Sequence, residues 1–300
     1  MTVGISKPAV ALTATAALVF NAAVWGMSWW PLRQLQDQGL HPLWSTALIY
    51  LLVFVLLLCA NRKSLRGLID HPSLFLLAAV SGLTNVCFNW AVTEGDVVRV
   101  VLLFYLMPAW SVLVGWWLLG EKPSAPSLLR LLLAMTGVLI VLKSPETTFP
   151  IPQSMADWLA ITGGLCFAIT NALLRKLNHT PNGSRMLAMF GGGTLMAGGT
   201  ALLGMQLVAI SAPAVTLAAV PVALALGLAF FLGNAALQYG AARLTASATA
   251  LIMLTEILFA SLSAAALGAA DFTPRILLGG SLIVLAAMLS ALLPGKAAAH

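Results

Sequence analysis

Ten apolar runs follow one another along this chain, each about as long as a helix that crosses a bilayer. Such a helix needs about 20 apolar residues, fewer where it is short or buried by protein. The runs fall near 9–31, 43–60, 73–93, 97–119, 127–143, 156–175, 185–206, 215–239, 245–267 and 274–293. The links between them, such as Asn61–Asp70, Glu121–Pro126, Ser144–Pro152 and Asn178–Ser184, are short and turn-like. None of them has room for a soluble domain. Of the 300 residues, 60% are hydrophobic and 8% charged, where a soluble domain carries roughly 25% charge. Too few charges remain to build an aqueous surface, so the bilayer is the expected solvent for most of the chain. The first run, which follows Lys7, is too long for a signal peptide and has no convincing cleavage site, so it reads as the first span.

The basic residues set a direction. With the N-terminus on the cytoplasmic side, the inner segments hold Lys7, Arg62, Lys63, Arg66, Lys122, Arg130, Arg175, Lys176, Arg185, Arg243 and Lys296. The outer segments hold Arg33, Arg99, Lys143 and Arg275. That excess is the positive-inside bias of membrane proteins. Acidic residues lean outward, with Asp37, Glu94, Asp96, Glu146, Asp157 and Asp271 on that side. Ten spans return both termini to the cytoplasmic side. The net charge of +6 is spread through short links, so it reads as topology control and predicts no nucleic-acid partner.

The chain also repeats itself. Trp117–Glu121 reads WLLGE and Ala265–Ala269 reads AALGA; Gly137–Val141 reads GVLIV and Gly280–Val284 reads GSLIV. Ala91–Glu121 aligns with Tyr239–Ala269, which sets Pro108 opposite Glu256. Each half holds five runs, and an odd number makes the second copy enter the membrane from the opposite side. Inverted repeats of this kind are an architecture of secondary transporters. The expected fold class is therefore all-α, a polytopic membrane protein of ten transmembrane helices in two inverted five-helix repeats. The half-repeats are residues 1–145 and 146–300, together one membrane domain.

Several chemistries find no residues here. Cys59, Cys87 and Cys166 lie within apolar runs, at spacings that make neither a disulfide framework nor a metal cluster. His41, His71, His179 and His300 lie in links or at the terminus. No zinc motif, P-loop or nucleotide-binding glycine pattern occurs, so neither a cofactor nor a metal is expected and no ATP-driven pump is encoded. The spans lack a Ser/Lys pair or a His/Asp set at depth, which argues against an intramembrane enzyme.

Polar groups inside the spans carry the functional candidates. Glu256, in LIMLTEILFAS, is the carboxylate deepest in a span. An unpaired charge at that depth costs several kcal/mol, about 2.5 or more on insertion scales, so it must face a partner, the bundle interior or a wet cavity. It reads equally as a substrate or proton site and as a protonated group that ties helices together. Amides lie at Asn21 in the first span, Asn85 and Asn89 in the third, Asn171 in the sixth, and Asn234 and Gln238 in the eighth. Asn85 and Asn89 are one helical turn apart, as are Asn234 and Gln238 in the matching span, and each pair shares a helix face. These doubled faces predict a cavity between the halves, although asparagines also bind helices to one another. Trp25, Tyr105 and Trp110 sit deeper than an interfacial belt and would give an apolar wall with a polar handle. Pro108 falls at mid-depth of the fourth span, where a proline loses a backbone bond and can kink a helix.

Phe104-Tyr105-Leu106-Met107-Pro108, followed by Gly120-Glu121-Lys122-Pro123, resembles the signature of the drug/metabolite transporter (DMT) superfamily of EamA type. Within it, the tryptophan-rich Val24–Pro31 and the Val97–Leu103 run resemble the bacterial aromatic amino acid exporters. The resemblance implies a ten-helix carrier whose central cavity is lined by spans one, three, four, six, eight and nine, with spans five and ten outside. The second half departs from the motif: Gly268 is followed by Ala269 where the first copy has Glu121. The resulting expectation is a non-enzymatic exporter of amino acids in a bacterial inner membrane, working as a monomer by alternating access on small-molecule cargo. A multidrug or cation exporter of the same superfamily, with protons as a further partner, and a membrane scaffold without transport stand as alternatives.

Overall fold

The computed structural model describes residues 7–94, 100, 103–142, 152, 154–207, 210–267 and 274–292. Among these residues all regular structure is helical. The first half holds α1 (Lys7–Met27), α2 (Trp29–Asp37), α3 (Pro42–Ala60), α4 (Lys63–Asp70), α5 (Ser73–Glu94), α6 (Met107–Leu119) and α7 (Ala125–Leu142). The second holds α8 (Met155–Lys176), α9 (Asn182–Gln206), α10 (Ala219–Ala241), α11 (Ala246–Met253), α12 (Glu256–Ala266) and α13 (Pro274–Leu292). The boundary between the expected half-repeats, at 145/146, lies outside the described residues, as do Arg99, Asp96, Lys143, Glu146, Gly268, Ala269, Asp271 and Lys296.

Six helical stretches are long and apolar enough to cross a membrane: Val10–Asp37, Pro42–Ala60, Ser73–Ala91, Met155–Lys176, Asn182–Gln206 and Ala219–Ala241. Shorter apolar helices at Met107–Leu119, Ala125–Ile140, Ala248–Ala260 and Leu277–Ala286 fall within the fourth, fifth, ninth and tenth apolar runs. The exterior is apolar. Leu12, Trp117, Leu132, Leu195 and Leu203 all stand out from the protein surface, as side chains do when lipid takes the place of water.

Three elements differ from the sequence reading. The link Asn61–Asp70 contains α4, which docks on the start of α9 through a Ser184 hydroxyl donating to the Ser64 carbonyl at 2.9 Å. The fourth and ninth runs are not continuous helices. They break at Tyr105–Leu106 and at Leu254–Thr255. Neither break is an unwound strand, because both tighten into three-residue bonds. Leu106 N–H donates to the Leu103 carbonyl at 3.3 Å, and Thr255 N–H to the Ile252 carbonyl at 3.0 Å.

The breaks have different local causes. Pro108 stands in the first turn of α6, where the missing N–H is tolerated, so it starts a helix and does not kink a continuous one. Its ring leaves the Phe104 carbonyl without the usual partner four residues on. At the second break the Thr255 hydroxyl donates to the Ile252 carbonyl at 2.8 Å. Both breaks are abutted by a glycine from another helix. A methyl group on Gly164 of α8 would lie 2.5 Å from the Phe104 carbonyl oxygen, and one on Gly26 of α1 would lie 2.5 Å from the Glu256 carbonyl oxygen. Only a residue without a side chain lets the neighbouring helix come this close.

Packing is pairwise and dense. α5 lies against α8 and α9, α3 against α9, α1 against α10 and α12, α6 against α8 and α11, and α7 against α13. One buried cluster joins Leu18, Leu77, Val114, Leu173, Leu237 and Leu244 across both halves. It reaches the end of the bundle at which Glu121 and Arg175 sit, where Val114 and Leu177 belong to it and Leu118 and Leu119 pack against it.

Candidate substrate pocket

The breaks bring the middle of the bundle together around a pocket of roughly 670 Å³, open space at its mouth included. Five aromatic rings line it: Trp25, Tyr50, Phe88, Phe104 and Phe167. The neutral polar groups Ser81, Thr84, Asn85, Thr170 and Asn234 stand among them, and Met189, Leu237 and Met253 complete the wall. Glu256, the first residue of α12, is the one charged group in the lining. Among the described residues no donor reaches its carboxylate within hydrogen-bond distance. Tyr105 lies within electrostatic reach of it.

Trp25 stacks on Phe230 with ring centroids 4.6 Å apart, which fixes the plane of the indole at the pocket edge. The Tyr50 hydroxyl donates to Asn85 Oδ1 at 3.4 Å, and Asn85 Nδ2 donates to the Ser81 carbonyl at 2.9 Å. Asn234 Oδ1 accepts from Gln238 Nε2 at 2.8 Å. Both lining amides are therefore held by neighbours and keep a fixed direction.

Four sequence candidates meet here: Trp25, Asn85, Asn234 and Glu256. The others do not line the pocket. Asn89 turns away and donates to Thr46 Oγ1 at 2.8 Å, so the expected polar face of α5 divides one turn after Asn85. Gln238 is buried behind Asn234 and holds it in place. Asn21 is fully buried and donates to Met253 Sδ at 3.3 Å, one residue removed from the wall. Asn171 is fully buried beside Thr170, and neither of its amide atoms meets a hydrogen-bond partner among the described residues. Tyr105 packs in the core behind Phe104, with ring centroids 6.0 Å apart. Trp110 packs against the buried cluster that joins Leu18, Val114 and Leu237, and Pro108 is buried.

The sequence reading missed Tyr50 and Met189, which bring the second and seventh spans into a wall expected from six spans alone. It also missed Phe88, Phe104 and Phe167 as lining, because a phenylalanine in an apolar run carries no sign of which way it faces. The fifth and tenth spans add nothing to the pocket, as expected. α7 and α13 pack on one another instead.

At the end of α6 the Gly120–Glu121 turn links the two halves. Gly120 closes α6 with φ of 69°, and the Glu121 N–H turns back to the Gly115 carbonyl at 3.0 Å. That left-handed cap favours glycine. It throws the Glu121 side chain across to the second half, where Oε2 accepts the Ala246 N–H at 3.3 Å. Ala246 opens α11, so the carboxylate satisfies an otherwise free donor at a helix N-terminus. Oε1 lies 2.9 Å from Arg175 Nε at the end of α8, an ion contact without the alignment of a hydrogen bond. Burial pushes the Glu121 carboxyl above its ordinary range, with Arg175 and the Ala246 N–H pulling the other way.

The geometry defines a helical membrane protein with a pocket that residues of both halves line. Residues 12–143 match the EamA-like transporter family. The matched stretch includes the break at Tyr105–Leu106 and the Gly120–Glu121 turn. No curated protein matches the sequence. A solved structure described as "Crystal structure of protein" is similar over 94% of this chain and 97% of its own, with a TM-score of 0.76 and 16% identity. At that identity the likeness is one of fold.

Proposed function

We propose that the chain is a transporter that exports small metabolites, amino acids first among them, by alternating access around the central pocket. The observation that carries this reading is the pocket itself: an aromatic-walled cavity with a few polar groups, formed where two helices are broken. Discontinuous helices beside a midplane site are a transporter device. The match of the first half to the EamA-like transporter family supports the same reading. The tryptophan-rich Val24–Pro31 and its resemblance to the bacterial aromatic amino acid exporter YddG favour aromatic and other neutral amino acids as cargo.

The ten spans would form two inverted copies, 1–145 and 146–300. In support, the helix neighbours exchange between halves: α5 with α8 answers α10 with α1, and α6 with α8 answers α12 with α1. The protein would act as a monomer in a bacterial inner membrane with both termini in the cytoplasm, following the basic-residue bias. Cargo moves down its own gradient in this reading. Proton exchange, the alternative, would run through Glu256, and Glu256→Gln flux measured with and without a pH gradient decides between them.

The test is uptake of labelled tryptophan, threonine and methionine by proteoliposomes that carry the protein. Saturable, protein-dependent flux of at least one is expected. Empty-liposome rates for all three would defeat the reading and leave the scaffold.

A further inference from the structure

We infer that the site recognises its cargo by a protonated amine held at Glu256, and merely tolerates a carboxylate. This inference deepens the transport reading and rests on it for the pocket's role.

Among the described residues the pocket lining holds one formal charge, the Glu256 carboxylate, and its remaining polar groups are neutral hydroxyls and amides. No cation lines it among those residues. A cargo carboxylate would meet the repulsion of Glu256 and only neutral donors to offset it. A cargo ammonium instead supplies the counter-charge that the bundle lacks, since among the described residues no donor reaches Glu256. Charges deep in a membrane protein are kept where they pair or line a path. The walls add to the same preference. Five rings line the same pocket, and aromatic faces attract an ammonium that has left water. An apolar or aromatic body then covers the rings while the amine reaches α12.

The break at Leu254–Thr255 is what makes this geometry. It puts Glu256 at the first position of a new helix, and Gly26 pins that backbone from the other side. Asn85 and Asn234, both held by neighbours, remain to receive whatever second polar group the cargo carries.

The experiment is competition for labelled tryptophan uptake in proteoliposomes, using two halves of the same molecule. Tryptamine keeps the amine and lacks the carboxylate; indole-3-propionate keeps the carboxylate and lacks the amine. Tryptamine is expected to inhibit at least as well as unlabelled tryptophan, and indole-3-propionate at least tenfold more weakly. Equal inhibition, or stronger inhibition by the acid, would overturn the inference while leaving transport intact. Glu256→Gln is expected to raise the tryptamine concentration for half-inhibition at least tenfold; an unchanged value would also overturn it.

A second measurement needs neither flux nor a variant. In detergent, tryptamine is expected to raise the unfolding temperature of the unaltered protein and indole-3-propionate to leave it unchanged. If tryptophan flux is absent but the amine still stabilises selectively, the transport reading fails and the amine site stands. If the acid stabilises as much as the amine, the amine site fails.

Discussion

Compare the two broken helices. At Tyr105–Leu106 the chain turns into α6 through Met107 and Pro108, and at Leu254–Thr255 it turns into α12 through Glu256. Each turn is tightened to three-residue bonds, and each is clasped by a glycine of a helix that belongs to the other half. Yet the first break presents Phe104 to the pocket and buries Pro108, while the second presents a carboxylate. The same backbone device thus holds a wall on one side and a charge on the other. Support and chemistry are separable here: the glycines serve the shape, and one side chain gives the pocket the charge it presents.

The largest expected contrast lies between the two matching positions. Glu256→Ala should lower tryptophan flux by tenfold or more at unchanged protein abundance, the scale of a lost charged hydrogen bond of about 1.5–3 kcal/mol. Pro108→Ala should leave flux within about twofold, because a helix-start proline contributes little beyond its fixed backbone angle. Equal effects in a flux assay would break the distinction drawn between wall and charge.

The clasping glycines should behave alike. Gly26→Ala and Gly164→Ala each force a methyl group against a carbonyl oxygen, and overpacking of this kind costs about 1–3 kcal/mol. Comparable losses of thermal stability in detergent would sharpen the equivalence of the breaks. A loss at one position alone would break it.

A smaller effect is expected behind the pocket. Gln238→Leu removes the donor that orients Asn234 and should weaken cargo affinity several-fold, a change of about 1 kcal/mol. Asn89→Leu, which breaks a bond to Thr46 away from the pocket, should lower stability by a similar amount and leave affinity unchanged. Binding titrations and melting curves on the two variants separate these outcomes.

The smallest effect belongs to the Gly120–Glu121 turn. Burial pushes the Glu121 carboxyl above its ordinary value. In the window between the two values the folded chain holds a proton that the unfolded chain has lost. Stability therefore falls as pH rises through that window, and it is fully present below the ordinary carboxylate value. The ion contact with Arg175 forms only above the window. Glu121→Gln should flatten this part of the stability profile, measured as melting temperature in detergent against pH.

Much of the fold was legible because burial in lipid leaves a plain record. Apolar length gave the helices, and Gly120-Glu121 marked the end of α6 in advance. The candidate site was legible only in part. Glu256, Trp25, Asn85 and Asn234 stood out because polar or amphipathic residues are conspicuous in an apolar run. Asn89 and Gln238 stood out for the same reason, but helical spacing gives a shared face and not what that face meets: Thr46 took one and Asn234 the other. Phe88, Phe104 and Phe167 were invisible, since lipid-facing, core and pocket-lining phenylalanines look identical in sequence.

By itself, then, the sequence determined that the chain is helical, that it dissolves in a bilayer, and that a lone deep carboxylate needs a partner. The cost of leaving backbone and charge unsatisfied in hydrocarbon admits no other solution. Tertiary structure alone decided where the fourth and ninth runs break, which amides face the cavity, and that Glu121 reaches across to Arg175 and the start of α11. Those outcomes depend on close approach between helices distant in the chain, through Gly26, Gly164 and Ala246, and no local pattern encodes such contacts.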